Sequence, residues 1–252
     1  MMQPSGPEPS YAYISTDLYK WLQKAGIKIV PILPDISPAE AAAYFEHIHG
    51  LFLHPGWSDQ PRYEVLIQQF LRMAVEANRA GDYFPVWGTC QGLQRIMQYF
   101  GGNLEDLHSL NLQKGSKIIL HSKDSRMLNF ATDAQINYFR TKYVPYFNHE
   151  KGISLYNFMM NKGLRDTFNV ITTSHDRKGV EYISMIEGKD LPFYGVQFHP
   201  EKSVNMGWLA AFLLAEMQKS RHTGFCPGSV HLTTGECEVA TITRSCMWSP
   251  LD

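Results

Sequence analysis

The chain lacks an excess of charge of either sign: 23 Lys and Arg stand against 24 Asp and Glu over 252 residues, and the basic side chains are scattered. That removes the clustered positive field on which a nucleic-acid or acidic-membrane surface depends. Long apolar runs are missing too. The opening MMQPSGPEPSYAYIST has neither the positive start nor the apolar stretch of a secretory signal, so neither a leader nor a membrane span is expected. The four cysteines include no CxxC pair and no Cys/His spacing of a zinc site. Three of them, Cys226, Cys237 and Cys246, crowd towards the end, where they could hold one disulfide or none, while Cys90 stands alone. No Asn-x-Ser/Thr acceptor occurs, so nothing argues for glycosylation in a secretory route.

What is present is ample apolar mass, 44% of residues, enough for one large domain. STDLYKWLQKA reads as a capped helix stopped by Gly26, IKIVPIL as a short strand, and SPAEAAAYFEHI as a helix with Ser37 as N-cap and Pro38 in its first turn. HGLFLHPG is a strand ending in a turn, PRYEVLIQQFLRMAVEANRAG an amphipathic helix, and DYFPVWG another strand. This alternation predicts an α/β fold with a doubly wound, mostly parallel sheet and helices on both faces, where ligands collect beyond the carboxyl ends of the strands. Residues 103–165 read as an irregular excursion, NVITTSHD and VEYISMIEG as a hairpin about Asp176–Gly179, and MGWLAAFLLAEMQKS as a closing helix. The domain is expected over 1–222, with 223–252 as a divergent peripheral tail.

VWGTCQGLQ places Cys90 between two glycines where a strand gives way to a helix. Such a turn exposes a nucleophile, and the amide of Gln91 and the helix N-terminus favour thiolate and oxyanion alike. The same pattern also suits a buried cysteine at a helix start. His199 lies where the strand FYGVQF ends, and Glu201 follows it across Pro200. At the carboxyl end of a strand in the same sheet, His199 could accept the thiol proton and Glu201 could orient its ring. A histidine at a strand end is by itself an ordinary surface or core residue; the reading comes from its combination with Cys90.

GTCQGLQ followed by GVQFHPEK resembles the class I glutamine amidotransferase superfamily, which uses a Cys-His-Glu triad on a doubly wound sheet. YISTDLYKWLQKAGIKIVPI, GLFLHPGWSD, GDYFPVWGTCQG, FNHEKGISLYNF and FNVITTSHDRKGVEYISMIEG narrow the resemblance to the γ-glutamyl hydrolases, over roughly residues 11–222. The resemblance implies Cys90 as nucleophile, His199 as base and Glu201 as its partner. It also implies Gly56, Trp57, Gln91 and His149 as substrate-facing residues, Gly56 and Trp57 standing at the family's Pro-Gly-Gly turn. His149 read on its own is equally a loop histidine. The implied activity is cleavage of poly-γ-glutamates such as folylpoly-γ-glutamate through a γ-glutamyl thioester, with no metal or organic cofactor. The implied partners are the small-molecule substrate, without nucleic acid or membrane, and a homodimer or protein partner. The implied location is lysosome, vacuole or secretion.

Three departures qualify these expectations. The family's first strand, of the type PxIGIL, is not seen ahead of residue 15, which would leave two strand edges exposed. Trp57 replaces a glycine at the oxyanion turn, where its bulk would fill the glutamate pocket. The loop between HPEK and the closing helix is short, predicting a shallow rim. The alternatives are a scaffold or assembly subunit that keeps the triad residues without the pocket, and a glutaminase subunit serving a separate synthase.

Overall fold

The computed structural model describes residues 3–4, 12–56, 60–102, 108–109, 117–122, 124–142, 145–223, 230–234 and 239–244. β1 (Gln3–Pro4) pairs with β2 (Ala12–Ser15), which runs directly into α1 (Thr16–Lys24). Ser15 is the N-cap, its hydroxyl accepting from the Leu18 amide at 3.3 Å, and Leu18 and Leu22 face the core. The helix stops at Gly26, whose φ of 89° a side chain would adopt only with strain. The strand expected over IKIVPIL does not form. Ile27 and Ile32 are buried, each in a different core cluster, but the segment joins no ladder. An apolar run supplies burial; a strand also requires a neighbouring backbone in register, which sequence pattern cannot guarantee.

α2 (Pro38–His47) carries the full capping box, with Ser37 and Glu40 satisfying each other's amides. β3 (Leu51–Leu53) leads to α3 (Pro61–Arg79), whose buried stripe includes Tyr63, Leu66, Ile67, Phe70, Leu71 and Ala74, and then to β4 (Val86–Thr89) and α4 (Gln91–Gly101). The excursion that follows holds β5 (His108–Ser109), β6 (Ile119–Leu120), α5 (Arg126–Phe130), α6 (Asp133–Thr141), β7 (Lys151–Gly152), α7 (Leu155–Met160) and α8 (Lys162–Thr167). β8 (Phe168–His175) and β9 (Glu181–Gly188) form the anticipated hairpin. Its turn is held by Asp176, whose Oδ1 accepts from the amides of Lys178 and Val180, each at 2.8 Å. β10 (Phe193–Val196), a single 3-10 turn (Pro200–Lys202) and α9 (Gly207–Met217) complete the central layers.

The principal sheet has six strands in the order β3-β4-β10-β9-β8-β6 and is mixed. The β3/β4 and β4/β10 ladders are parallel, and the other three are antiparallel. Parallel pairing follows from the helical crossovers, whereas a hairpin with a tight turn at 176–179 must return antiparallel. Successive strand residues face opposite layers. Val86 and Phe193 join the core with α2, α3 and α4, while Trp87 and Tyr194 join the core with α1 and α9. Helices therefore cover both faces. In the tail, β11 (Val230–Thr234) and β12 (Val239–Arg244) make a hairpin, and β12 pairs with β2 through Val239–Ser15 and Ala240–Ile14. The tail cysteines lie outside the described residues.

Candidate active site

The carboxyl ends of the parallel strands β4 and β10 bring Cys90 and His199 together. Val196 pairs with Thr89, and the Cys90 amide donates to the Val196 carbonyl at 2.8 Å. Cys90 has φ 55° and ψ −110°, a conformation that disfavours any residue with a Cβ. The flanking glycines serve close approach and leave the strained dihedral to Cys90 itself. A Cβ on Gly88 would lie 2.5 Å from the Gly92 backbone, and one on Gly92 would lie 2.3 Å from the Leu53 carbonyl oxygen. Small residues thus let α4 sit down on β3 and β4, with the cysteine forced into the bend between them. Gln91 is buried in the first turn of α4, where main-chain amides have no partner within the helix.

His199 is fixed through its backbone by a strap of residues 145–153. Its amide donates to the Tyr146 carbonyl at 2.8 Å, and its own carbonyl accepts from the Ser203 hydroxyl at 2.6 Å. Ser203 also accepts from the Tyr146 amide at 2.9 Å, so one hydroxyl joins strap and histidine. The ring nitrogen Nδ1 lies 2.8 Å from Glu201 Oε1, and the Glu201 side chain is almost wholly buried. Since a carboxylate only accepts, Nδ1 carries a proton and Nε2 is the nitrogen left for chemistry. Burial pulls the ring's pKa down, but the interactions with Cys90 and then Glu201 outweigh it and hold it up at about 9. His199 Nε2 is buried without a hydrogen-bond partner among the described residues, so the support for the protonated ring comes from the charges of Cys90 and Glu201 and from the Glu201 hydrogen bond.

His149 sits on the same strap with its ring against Phe147 and Tyr182. Its Nδ1 lies 2.8 Å from the Lys151 carbonyl, and burial pushes it down to about 4, so it is neutral. Gly56 lies in the bend after β3 with φ 152°, while Trp57 falls outside the described residues.

Sequence reasoning missed several neighbours. Gln94, one turn after Cys90 on α4, reaches the Lys151 carbonyl and Gln197. Gln197 shares the alternation of His199, two residues on; both spacings were visible signals. His54, buried after β3, accepts from the Ser15 amide at 3.5 Å and is held down to about 3 chiefly by burial. Nothing in the sequence marked it. Among the described residues, no three His, Cys, Asp or Glu side chains gather as metal ligands, and no helix is long and apolar enough to cross a membrane.

A strained cysteine elbow facing a histidine on the next parallel strand defines a class. The chain belongs to the glutamine amidotransferase class-I family, whose description matches residues 10–212. A solved structure with the same fold is that of a putative GMP synthase subunit from Thermoplasma acidophilum, at TM-score 0.55 and 17% identity, covering 81% of this chain and 87% of that one. The particular likeness is to proteins named gamma-glutamyl hydrolase. The mouse protein is 32% identical over 83% of this chain and 73% of its own length, and the human protein 33% identical over 76% and 61%. The gamma-glutamyl hydrolase B of Dictyostelium discoideum is 32% identical over 76% of this chain and 57% of its own length. These relatives support hydrolysis of γ-glutamyl bonds.

Proposed function

We propose that this chain hydrolyses poly-γ-glutamates such as folylpoly-γ-glutamate through Cys90, His199 and Glu201. The observation that carries the reading is the placing of one ring: His199 Nδ1 meets Glu201 at 2.8 Å, while Nε2 is buried without a hydrogen-bond partner among the described residues and the ring feels Cys90. With His199 protonated up to about 9, the sulfur is paired with a cation at neutral pH. The thiolate attacks the γ-carbonyl carbon, forming C–S while the carbonyl π electrons move to oxygen. The amide of Gln91 and the turn at Gly56 and Trp57 receive that oxyanion, where one lost donor costs about two to three orders of magnitude in rate. The intermediate collapses with cleavage of C–N, and the His199 proton passes to the departing nitrogen. Neutral His199 then takes a proton from water as its oxygen attacks the thioester; C–S breaks and the ion pair returns. Glu201 holds the ring in the tautomer that both steps require, and His149 faces the substrate.

Purified protein incubated with a short poly-γ-glutamate is expected to release glutamate or shorter chains, and Cys90→Ala to abolish release with an unchanged circular dichroism spectrum. Equal silence of both proteins overturns the reading and favours a non-catalytic scaffold.

A further inference from the structure

The chain leaves the neighbouring parallel strands β3, β4 and β10 at one end of the sheet, and the middle exit is the Cys90 elbow. α1 reaches both of the outer two. At its start the Ser15 amide donates to His54 Nε2 at 3.5 Å, directly after β3. Further along, the Trp21 indole donates from Nε1 to the Met206 carbonyl at 3.3 Å, beyond β10. α1 also packs against the 3-10 turn of Pro200–Lys202, and that turn carries Glu201.

Residues 203–206 lead from this turn to α9. Asn205 has φ 60°, a left-handed conformation that asparagine tolerates better than most residues. The Met206 carbonyl that meets Trp21 also accepts from the Leu209 amide at 3.2 Å, where α9 begins. Ser203 is tied to the Tyr146 amide at one end of the loop and Met206 to Trp21 at the other, so the loop has little freedom to draw away from the turn.

Those ties matter because of Glu201. Its Oε1 lies 2.8 Å from His199 Nδ1, while Oε2 is shut off from solvent without a hydrogen-bond partner among the described residues. A buried carboxylate with one oxygen unmet is costly, so the packing around it has to hold it in place. Water admitted to Oε2 would relieve that cost and screen the charge from the ring.

We propose that Trp21 is a positioning residue: from α1 it clamps the loop behind Glu201 and so keeps the carboxylate dry against the His199 ring. The assignment rests on the hydrolase reading above, and it adds a tie from α1 to those that the 145–153 strap makes. The ionisable groups about the ring are Cys90, Glu201, Tyr146 and the neutral His54 and His149, and Lys202 lies over the Tyr146 ring at 6.0 Å. Of those that hold the proton on the ring, Glu201 is the one carried by the turn that α1 covers.

The test uses the full chain in two variants. Trp21→Phe keeps an aromatic ring and removes the indole N–H; a benzothiophene in place of the Trp21 indole keeps the shape and removes only the N–H. In nitrogen NMR the titration midpoint of the His199 ring is expected to fall by about half a pH unit or more in both, because water reaching Glu201 weakens its hold on the proton. The ring itself stays on the Tyr146 strap. With tri-γ-glutamate at neutral pH, kcat is expected to fall about fivefold while KM changes less than about twofold. An unmoved His199 midpoint, or a change confined to KM, overturns the assignment. The benzothiophene variant supplies the reading if Trp21→Phe fails to fold. If the parent protein leaves tri-γ-glutamate uncut, the hydrolase reading falls, and the NMR comparison still decides the part played by Trp21.

Discussion

His199 Nδ1 lies 2.8 Å from Glu201 Oε1, although Pro200 alone separates the two residues in the chain. Ordinary extended backbone would carry side chains at that spacing along one face without turning one into the other. Here Pro200 opens a 3-10 turn over residues 200–202, which folds the carboxylate back against the ring and buries it. The pairing is therefore local, whereas the approach of Cys90 to the same ring depends on two strands far apart in sequence.

Glu201→Gln keeps the shape and removes the charge. Loss of that anion lowers the proton affinity of His199, so the alkaline limb of kcat, expected near 9 in the parent, moves towards neutral pH. The rate at pH 7 is expected to fall about a hundredfold or more. A pH–rate profile on poly-γ-glutamate reads both, and an unmoved alkaline limb refutes the role given to Glu201.

Gly92→Ala tests the elbow from beneath. Its Cβ would meet the Leu53 carbonyl oxygen at 2.3 Å, a main-chain atom that no side-chain rotation can move aside, so α4 must lift from β3. We expect a loss of about 1–3 kcal/mol in urea unfolding together with slowed alkylation of Cys90. Unaltered stability would mean that the close approach is relieved at no cost.

Ser203→Ala removes one hydroxyl that donates to the His199 carbonyl and accepts from the Tyr146 amide. The stability loss expected is about 1–2 kcal/mol. Because the strap then holds the histidine backbone only through the Tyr146 carbonyl, turnover is expected to drop roughly tenfold, the cost of a less precisely placed acid. Stability falling with turnover intact would confine Ser203 to a structural part.

Stability should peak near pH 6.5. His149 and His54 are depressed from 6.5 to about 4 and about 3, chiefly by burial, so the unfolded chain takes up protons that the folded one refuses. Their contribution is complete above 6.5 and is lost as pH falls towards those values. His199 is raised to about 9, so its contribution is complete below 6.5 and is lost as pH rises through 9. Melting temperature is expected to drop by about 5 °C or more from pH 6.5 to 4.5, and to decline again towards pH 9. A melting temperature that climbs steadily over pH 6.5–9 contradicts this.

The local signals in the chain were legible where a few adjacent residues suffice. Ser37 and Glu40 cap α2, the periodic stripe of α3 finds its core, and Asp176 closes the hairpin turn. The same holds for Cys90 and His199 as strand-end residues. IKIVPIL shows where such reasoning stops: its residues suit a strand, yet no ladder accepts it.

By itself the sequence determined the caps, the amphipathic faces, the cysteine elbow and the short path from His199 to Glu201, because each depends on bonding and packing within a few residues. Only the tertiary structure decided that the sheet turns antiparallel beyond β10, that a strap from Tyr146 to Ile153 grips the histidine, and that Gln94, Lys151 and Gln197 share one hydrogen-bond chain. Those outcomes turn on which backbone groups meet across long stretches of chain. A carbonyl's direction in space has no signature in the order of side chains.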